Sequence, residues 1–243
     1  MEEHIQRLVD KTWKKYQQTP ASQRFLVAVS GIPGSGKTTL ATLVACRLNQ
    51  RHSDDSPGCA LQSVAAFIPM DGYHLSRAQL SAMPDPATAH ARRGAAFTFD
   101  DRAFLALVRK LREPLLPESK TIYAPSFDHA TKDPVENNIP IPTTARIVIL
   151  EGNYVALNKG LWKEAASLMD ELWFVEVGLD VARRRLIQRH VKTGVTATVE
   201  EANKRVTEND LVNGEEIIQD RLEVQEVIKS AEDETWTPDA LGA

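Results

Sequence analysis

Residues 31–39 read GIPGSGKTT, from Gly31 to Thr39, and this stretch decides the fold. Gly31, Gly36, Lys37 and Thr38 satisfy the spacing G-x-x-x-x-G-K-[ST], with Ile32, Pro33, Gly34 and Ser35 between the first two glycines. Glycines let a backbone curl until successive N–H groups point inward at one anion. A lysine at position 37 adds a point charge for terminal phosphates, and the Thr38 hydroxyl suits a Mg²⁺ ion. A helix beginning there turns its positive dipole end on the same anion. Working outward, FLVAVS (25–30) reads as a buried strand, while Leu40, Leu43, Val44 and Leu48 repeat at helical spacing. A strand, a glycine loop and a helix in that order are the context that a nucleoside-triphosphate cradle requires. Gly31 to Thr39 are therefore the expected nucleotide-binding set, with ATP as ligand.

The rest of the chain alternates in the same way. Ile5, Leu8, Val9, Thr12, Trp13 and Tyr16 fall on one helical face. SVAAFIPM (63–70), ARIVILEG (145–152) and ELWFVEV (171–177) read as strands. Helices are expected near 101–112, 179–190 and 199–206. RHSDDSPG (51–58) reads as a surface loop. From Glu113 to Thr144 the chain carries Pro114, Pro117, Pro125, Pro134, Pro140 and Pro142 and reads as irregular. Near-continuous apolar strands separated by helices predict an α/β fold: a doubly wound, mostly parallel sheet with helices on both faces, of the P-loop NTPase kind. One domain over 1–243 is expected, with an N-terminal helix in 1–20, an acceptor-binding insertion at 72–144, a helical lid at 179–198 and an acidic tail at 230–243.

Composition narrows the function. The chain has 243 residues, 42% of them hydrophobic and 26% charged, which is ordinary for a globular protein. A net charge of −4 argues against a dedicated nucleic-acid binder. Cys46 and Cys59 form no metal-ligand spacing. No apolar run is long enough to span a membrane, and the acidic N-terminus lacks a signal core. A cytoplasmic protein that meets neither nucleic acid nor membrane is expected; a homo-oligomer is left open.

Two acids and two arginines suggest chemistry. Asp71 ends the second apolar strand and Glu151 ends the third. In open α/β sheets the carboxyl ends of strands form the ligand crevice. Asp71 there can accept the proton of an attacking hydroxyl, or merely cap a turn. Glu151 can orient the shell of a Mg²⁺ ion held with Thr38, or be a solvated strand end. Arg185 and Arg189, four apart on one helix, share a face that can close over a phosphoryl group or simply face water. Asn158-Lys159 is followed by Gly-Leu, so the guanine-reading N/T-K-x-D motif is missing, and no LSGGQ-like signature occurs.

The ordered series GIPGSGKTT, MDGYH, RRGAAFTFD, ILEGNY, RRRLIQRH and NDLVNG resembles the superfamily of uridine kinases, phosphoribulokinases and bacterial pantothenate kinases. The wording is most similar to uridine-kinase-like ATP-dependent kinases of bacteria and fungi. The resemblance, which runs from about Phe25 to Ile218, implies transfer of the ATP γ-phosphoryl group to a hydroxyl of a nucleoside, sugar or vitamin-like metabolite. It implies Asp71 as catalytic base beside Lys37, Glu151 as the Mg²⁺-associated acid, and Arg185 and Arg189 as lid arginines. Tyr73, His74, Arg93, Asp128 and His129 fall in segments that shape the acceptor pocket of such enzymes. RRGAAFTFD replaces the aspartate-histidine-proline stretch of uridine kinases, so the resemblance stops short of uridine. The competing expectation is a P-loop ATPase or nucleotide-dependent switch acting on a protein partner.

Overall fold

The structure, a computed structural model, describes residues 2–55 and 63–230. Helix α1 (Glu2–Gln18) leads into strand β1 (Phe25–Gly31), the glycine loop and helix α2 (Lys37–Asp55). Strand β2 (Ala65–Pro69) passes into a 3₁₀ turn, Met70–Tyr73. Short helices α3 (Arg77–Ser81) and α4 (Pro86–Ala91) precede α5 (Asp101–Leu111). Strands β3 (Ile122–Asp128) and β4 (Asp133–Ile141) form a separate antiparallel ribbon. The chain returns through β5 (Ile147–Glu151), α6 (Gly160–Ser167) and β6 (Glu171–Glu176). It continues through α7 (Leu179–Lys192), α8 (Val199–Arg205), a π-helical turn at Val206–Asp210, α9 (Leu211–Gln219) and β7 (Glu226–Lys229).

The main sheet has the order β2-β5-β1-β6-β7, and every neighbouring pair is parallel. Alternation along each strand divides the core in two. Leu26, Ala28, Val148, Leu150 and Phe174 face one layer, which holds Phe104 and Trp162. Phe25, Val27, Val29, Ile147, Ile149 and Trp173 face the other, which holds Leu8, Trp13 and Leu40. Helices therefore cover both faces, as the sequence predicts. Among the described residues no helix is long and apolar enough to cross a membrane.

Three expectations are corrected. Residues 51–55 are the last turns of α2, not loop; residues 56–58 of that expected loop lie outside the described residues. The polar side chains there serve a helix pair: Arg51 binds Asp10 and its guanidinium lies 5.3 Å from the centroid of the Trp13 ring. The proline-rich stretch is not irregular throughout, since 122–141 form the ribbon. A two-stranded ribbon has free outer edges, where a missing N–H costs nothing. Pro125 falls in the register shift between Ala124 and Ser126. Lastly, the helix expected at 199–206 continues through the π-helical turn and α9, with Asn209, Asn213 and Gly214 buried within it. The tail expected from 230 lies, beyond Ser230, outside the described residues.

Candidate active site

The glycine loop takes its shape from backbone that side-chain-bearing residues avoid. Gly34 and Gly36 have φ of 79° and 88°, in the left-handed region. The α7 helix lies directly against this loop, because a Cβ on Gly34 would come 3.0 Å from the Ala182 carbonyl oxygen. Arg185 of α7 donates to the Gly34 carbonyl at 3.2 Å and to Ser230 Oγ at 2.9 Å. Ser35 Oγ is buried and has no hydrogen-bond partner among the described residues.

Opposite the loop, the parallel register sets the ends of β1, β2 and β5 side by side: Val29 pairs with Glu151, and Glu151 with Pro69. Glu151 is buried, and Lys37 Nζ stands 3.8 Å from its Oε1. Burial pushes the Glu151 carboxyl up to about 7, with nearby Asp71 adding to the shift, while Lys37, a hydrogen bond with Thr38, and Arg189 oppose it. Burial also pushes the Lys37 ammonium down; Glu151 and Asp71 pull the other way and Arg189 adds to the push. These mutual effects place Lys37, Thr38, Asp71, Glu151 and Arg189 in one cluster. At 3.8 Å the buried ion pair is loose, and both members are biased toward neutrality. Such a site gains strongly from an added multivalent charge.

Asp71 sits in the 3₁₀ turn that ends β2, its side chain 53% exposed and so open to a ligand. The turn is fixed from both sides. Asp71 O accepts from His74 N at 3.1 Å and stands 2.9 Å from His74 Nδ1. A Cβ on Gly72 would come 2.2 Å from Pro125 O, so the ribbon backbone packs where only glycine fits. The His74 ring lies between Phe99 (4.0 Å) and Phe127 (4.9 Å). Burial lowers its pKa, while Asp71 opposes that shift and Arg93 and His129 add to it.

The remaining expected contacts separate. Arg93 reaches the His74 region, donating to Leu75 O at 3.0 Å and pairing with Asp133 at 3.3 Å. His129 is exposed, its ring 5.3 Å from Phe127. Asp128 caps the ribbon turn: its carboxylate accepts from Ala130 N and Thr131 Oγ1, which hold it below the usual carboxylate range. Tyr73 is buried edge-on against Phe104, in core rather than cleft; burial, then Glu136 and Asp100, push its hydroxyl pKa upward. A cavity of about 300 Å³ touches this turn at Gly72, Tyr73 and His74 and is otherwise lined by α5, the ribbon, Leu75, Gln79 and Asp100, with none of Lys37, Asp71, Glu151 or the α7 arginines in its walls.

The structure adds residues to which the sequence reading gave no role. Arg92 is held by Asn209 Oδ1 (3.0 Å) and Asn213 Oδ1 (2.7 Å). Tyr154 donates to Gly94 O at 2.8 Å. His190, near the end of α7, meets Asp210 of the π-helical turn at 2.7 Å. RRG and NDLVNG were visible as wording, but their pairing across more than a hundred residues was not.

The glycine loop, two strand-end acids and the arginine helix α7 meet at one end of the main sheet. The model of the "Phosphoribulokinase / Uridine kinase family" matches residues 26–208. The chain belongs to that family. It is thereby an ATP-dependent kinase of a small-molecule class. The ATP-dependent kinase-like protein notR′ of Aspergillus versicolor is 53% identical over 65% of this chain and 92% of its own length. A Schizosaccharomyces pombe protein provisionally named uridine kinase C227.14 is 41% identical over 79% of this family member and 77% of itself. The crystal structure of YFH7 from Saccharomyces cerevisiae superposes with a TM-score of 0.84 at 22% identity, covering 94% of this chain and 99% of that one, and so shares its fold.

Proposed function

We propose that this kinase transfers the ATP γ-phosphoryl group to a hydroxyl of a small metabolite, with Asp71 as the base. The observation that carries the reading is the cluster of Lys37, Thr38, Asp71, Glu151 and Arg189 around the glycine loop. Backbone N–H groups of the glycine loop, from Gly34 to Thr39, would hold the phosphates, and Lys37 would neutralise the terminal pair. The donor set fits Mg²⁺: Thr38 hydroxyl and Glu151 carboxylate are hard oxygen ligands, and the nucleotide's phosphates supply the rest. Bound there, Mg²⁺ would draw charge from the β- and γ-phosphate oxygens.

Asp71 would accept the acceptor's hydroxyl proton as the new O–P bond forms and the β–γ bridge breaks, leaving ADP. Arg185, already on the loop, and Arg189 would hold the charge that spreads over the transferring group. His74 stands beside Asp71, with Arg93 near His74, and the two would form the acceptor's wall; Asp128 and Tyr73 would support that wall rather than touch the ligand.

An ATPase or switch would need no acceptor-side base open to solvent. Incubation with γ-labelled ATP and pooled small-molecule alcohols distinguishes the two. Label in a new organic phosphate is expected. Label released only as inorganic phosphate, at a rate no alcohol changes, would sink the kinase reading.

A further inference from the structure

Residues 92–99 carry the side of the cleft that faces away from the glycine loop. Arg93 donates to Leu75 O at 3.0 Å, Leu75 N donates to Thr98 O at 2.9 Å, and the Phe99 ring centroid lies 4.0 Å from that of His74. The segment's own hydrogen bonds are local: Ala95 N to Arg92 O, Thr98 N to Ala95 O, and Gly94 N to Thr98 Oγ1. Turns held only by such bonds open readily unless something outside pins them. One helical stretch supplies pins. Asn209 Oδ1 and Asn213 Oδ1 accept from Arg92 at 3.0 and 2.7 Å, and Asn209 Nδ2 donates to Arg93 O at 3.1 Å. Both asparagines are buried, which keeps water from competing for these bonds.

The same stretch grips α7 with its next residue. Neighbours on a helix point to different faces, so Asn209 meets residues 92–99 while Asp210 meets α7. Asp210 Oδ2 accepts from His190 Nε2 at 2.7 Å, and the two side chains are 13% and 8% exposed. The turn that carries both residues, Val206–Asp210, is π-helical, a form frequent at functional sites. His190 directly follows Arg189, which is within electrostatic reach of Lys37 and Glu151. One turn earlier, Arg185 donates to Gly34 O of the glycine loop. Tyr154, which donates to Gly94 O, stands among the same groups: burial, then Glu216, pushes its hydroxyl pKa up, and Arg92 and Asp210 act on it with opposite signs. We infer that Asp210 and Asn209 are positioning residues, which pass the placement of α7 on the nucleotide to the acceptor wall. Phosphates that draw in Arg185 and Arg189 also fix His190, and His190 fixes the turn that holds Arg92 and the Arg93 carbonyl. The wall is thereby firmest when the phosphoryl donor is bound, and neither positioning residue touches nucleotide or acceptor. This inference rests on the reading of the glycine loop and α7 as the donor site.

Hydrogen exchange of the whole chain tests it with no acceptor present, using a non-hydrolysable ATP analogue with Mg²⁺ as the probe. In the wild type the analogue is expected to slow exchange of the 92–99 amides ~5-fold or more, alongside those of the glycine loop. Asp210→Ala is expected to bind the analogue with unchanged affinity and to protect the glycine loop, while residues 92–99 no longer respond. Asp210→Asn, which keeps an oxygen for His190, is expected to restore the response; a merely structural role would lower the melting temperature without this split. Asn209→Ala cuts the connection at its other end and is expected to give the same silence, including where Asp210→Ala does not fold. The inference is overturned by wild-type 92–99 amides that ignore the analogue, by a folded alanine variant that responds in full, or by Asp210→Asn as silent as alanine. A wild-type glycine loop that the analogue leaves unprotected removes the donor site and this inference with it. Label transfer to the pooled alcohols reads the kinase claim separately: its failure with the exchange response intact sinks that claim and leaves the coupling standing.

Discussion

Two buried glutamates end strands of the same sheet and meet opposite fates. Glu171 opens β6 and Glu151 closes β5. Burial alone would raise Glu171, but hydrogen bonds from Lys11, Lys15 and Trp173 Nε1 outweigh it and hold the carboxyl below its usual range. Against its burial Glu151 has a lysine 3.8 Å away, a threonine hydroxyl and the more distant Arg189, while Asp71 adds to the shift, and the carboxyl is pushed up to about 7. The N-terminal edge of the sheet is electrostatically finished, and its ion pairs clamp α1 and β7 in place. The C-terminal edge is left more loosely paired. A fold can place similar residues at both ends of its strands, tying one into a network of ion pairs and leaving the other loosely held.

The largest effect separates the lysines. Lys37→Ala is expected to lower phosphotransfer by ~10³-fold with little change in melting temperature, measured by initial rates and calorimetry. Lys15→Ala is expected to do the reverse, lowering stability with kcat retained.

Glu171→Gln comes next. Breaking a buried, hydrogen-bonded pair is expected to cost about 3 kcal/mol, on the order of 5–10 °C in Tm. The folded pKa is depressed, so this stability is present above the unfolded value near 4.5 and is lost as pH falls through the folded value. The gap between variant and wild type is therefore expected to close in acid. A gap that persists there would show that packing, not charge, is lost.

Glu151 has the opposite sign. Its folded pKa is raised, so between about 4.5 and 7 the folded state binds more protons and the carboxyl destabilises the ligand-free fold as pH rises. Ligand-free Glu151→Gln is expected to melt at or above wild type at pH 8. Because a metal-bound carboxylate must be ionised, apparent Mg²⁺ affinity at saturating ATP is expected to fall up to ~10-fold per pH unit below 7. Glu151→Gln should flatten that dependence; a slope unchanged in the variant would assign it to another group.

Arg7→Ala marks the lower bound. Arg7 reaches Glu226 at 2.7 Å, but its side chain is 47% exposed. The expected change is under about 0.5 kcal/mol by denaturant titration. A larger loss would mean that the clamp works as a network rather than as separate pairs.

The sequence made the loosely paired edge legible and the finished one nearly silent. A phosphate cradle restricts residue type at fixed spacing, so Gly31 to Thr38 stand out, and Asp71 and Glu151 stand out by ending apolar runs. Glu171 begins a run just as plainly, but its partners Lys11 and Lys15 lie 160 and 156 residues away. Distance also hid the grip of Asn209 and Asn213 on Arg92, as well as the His190–Asp210 contact. The ribbon was missed for a local reason: prolines normally break strands, and only the free edges and register shift of a two-stranded ribbon accommodate so many. The fold class and the nucleotide side were therefore readable from periodicity and spacing, while the acceptor side depended on tertiary contacts.

The central claim is tested most directly by single-turnover transfer in Asp71→Asn, with nucleotide binding measured on the same preparation. Asp71 is solvent-facing, and asparagine preserves its size, so the loop should be undisturbed. ATP affinity is expected to match wild type while label transfer to the acceptor slows by ~10²–10⁴-fold. Full transfer by a variant that binds ATP normally would contradict the account.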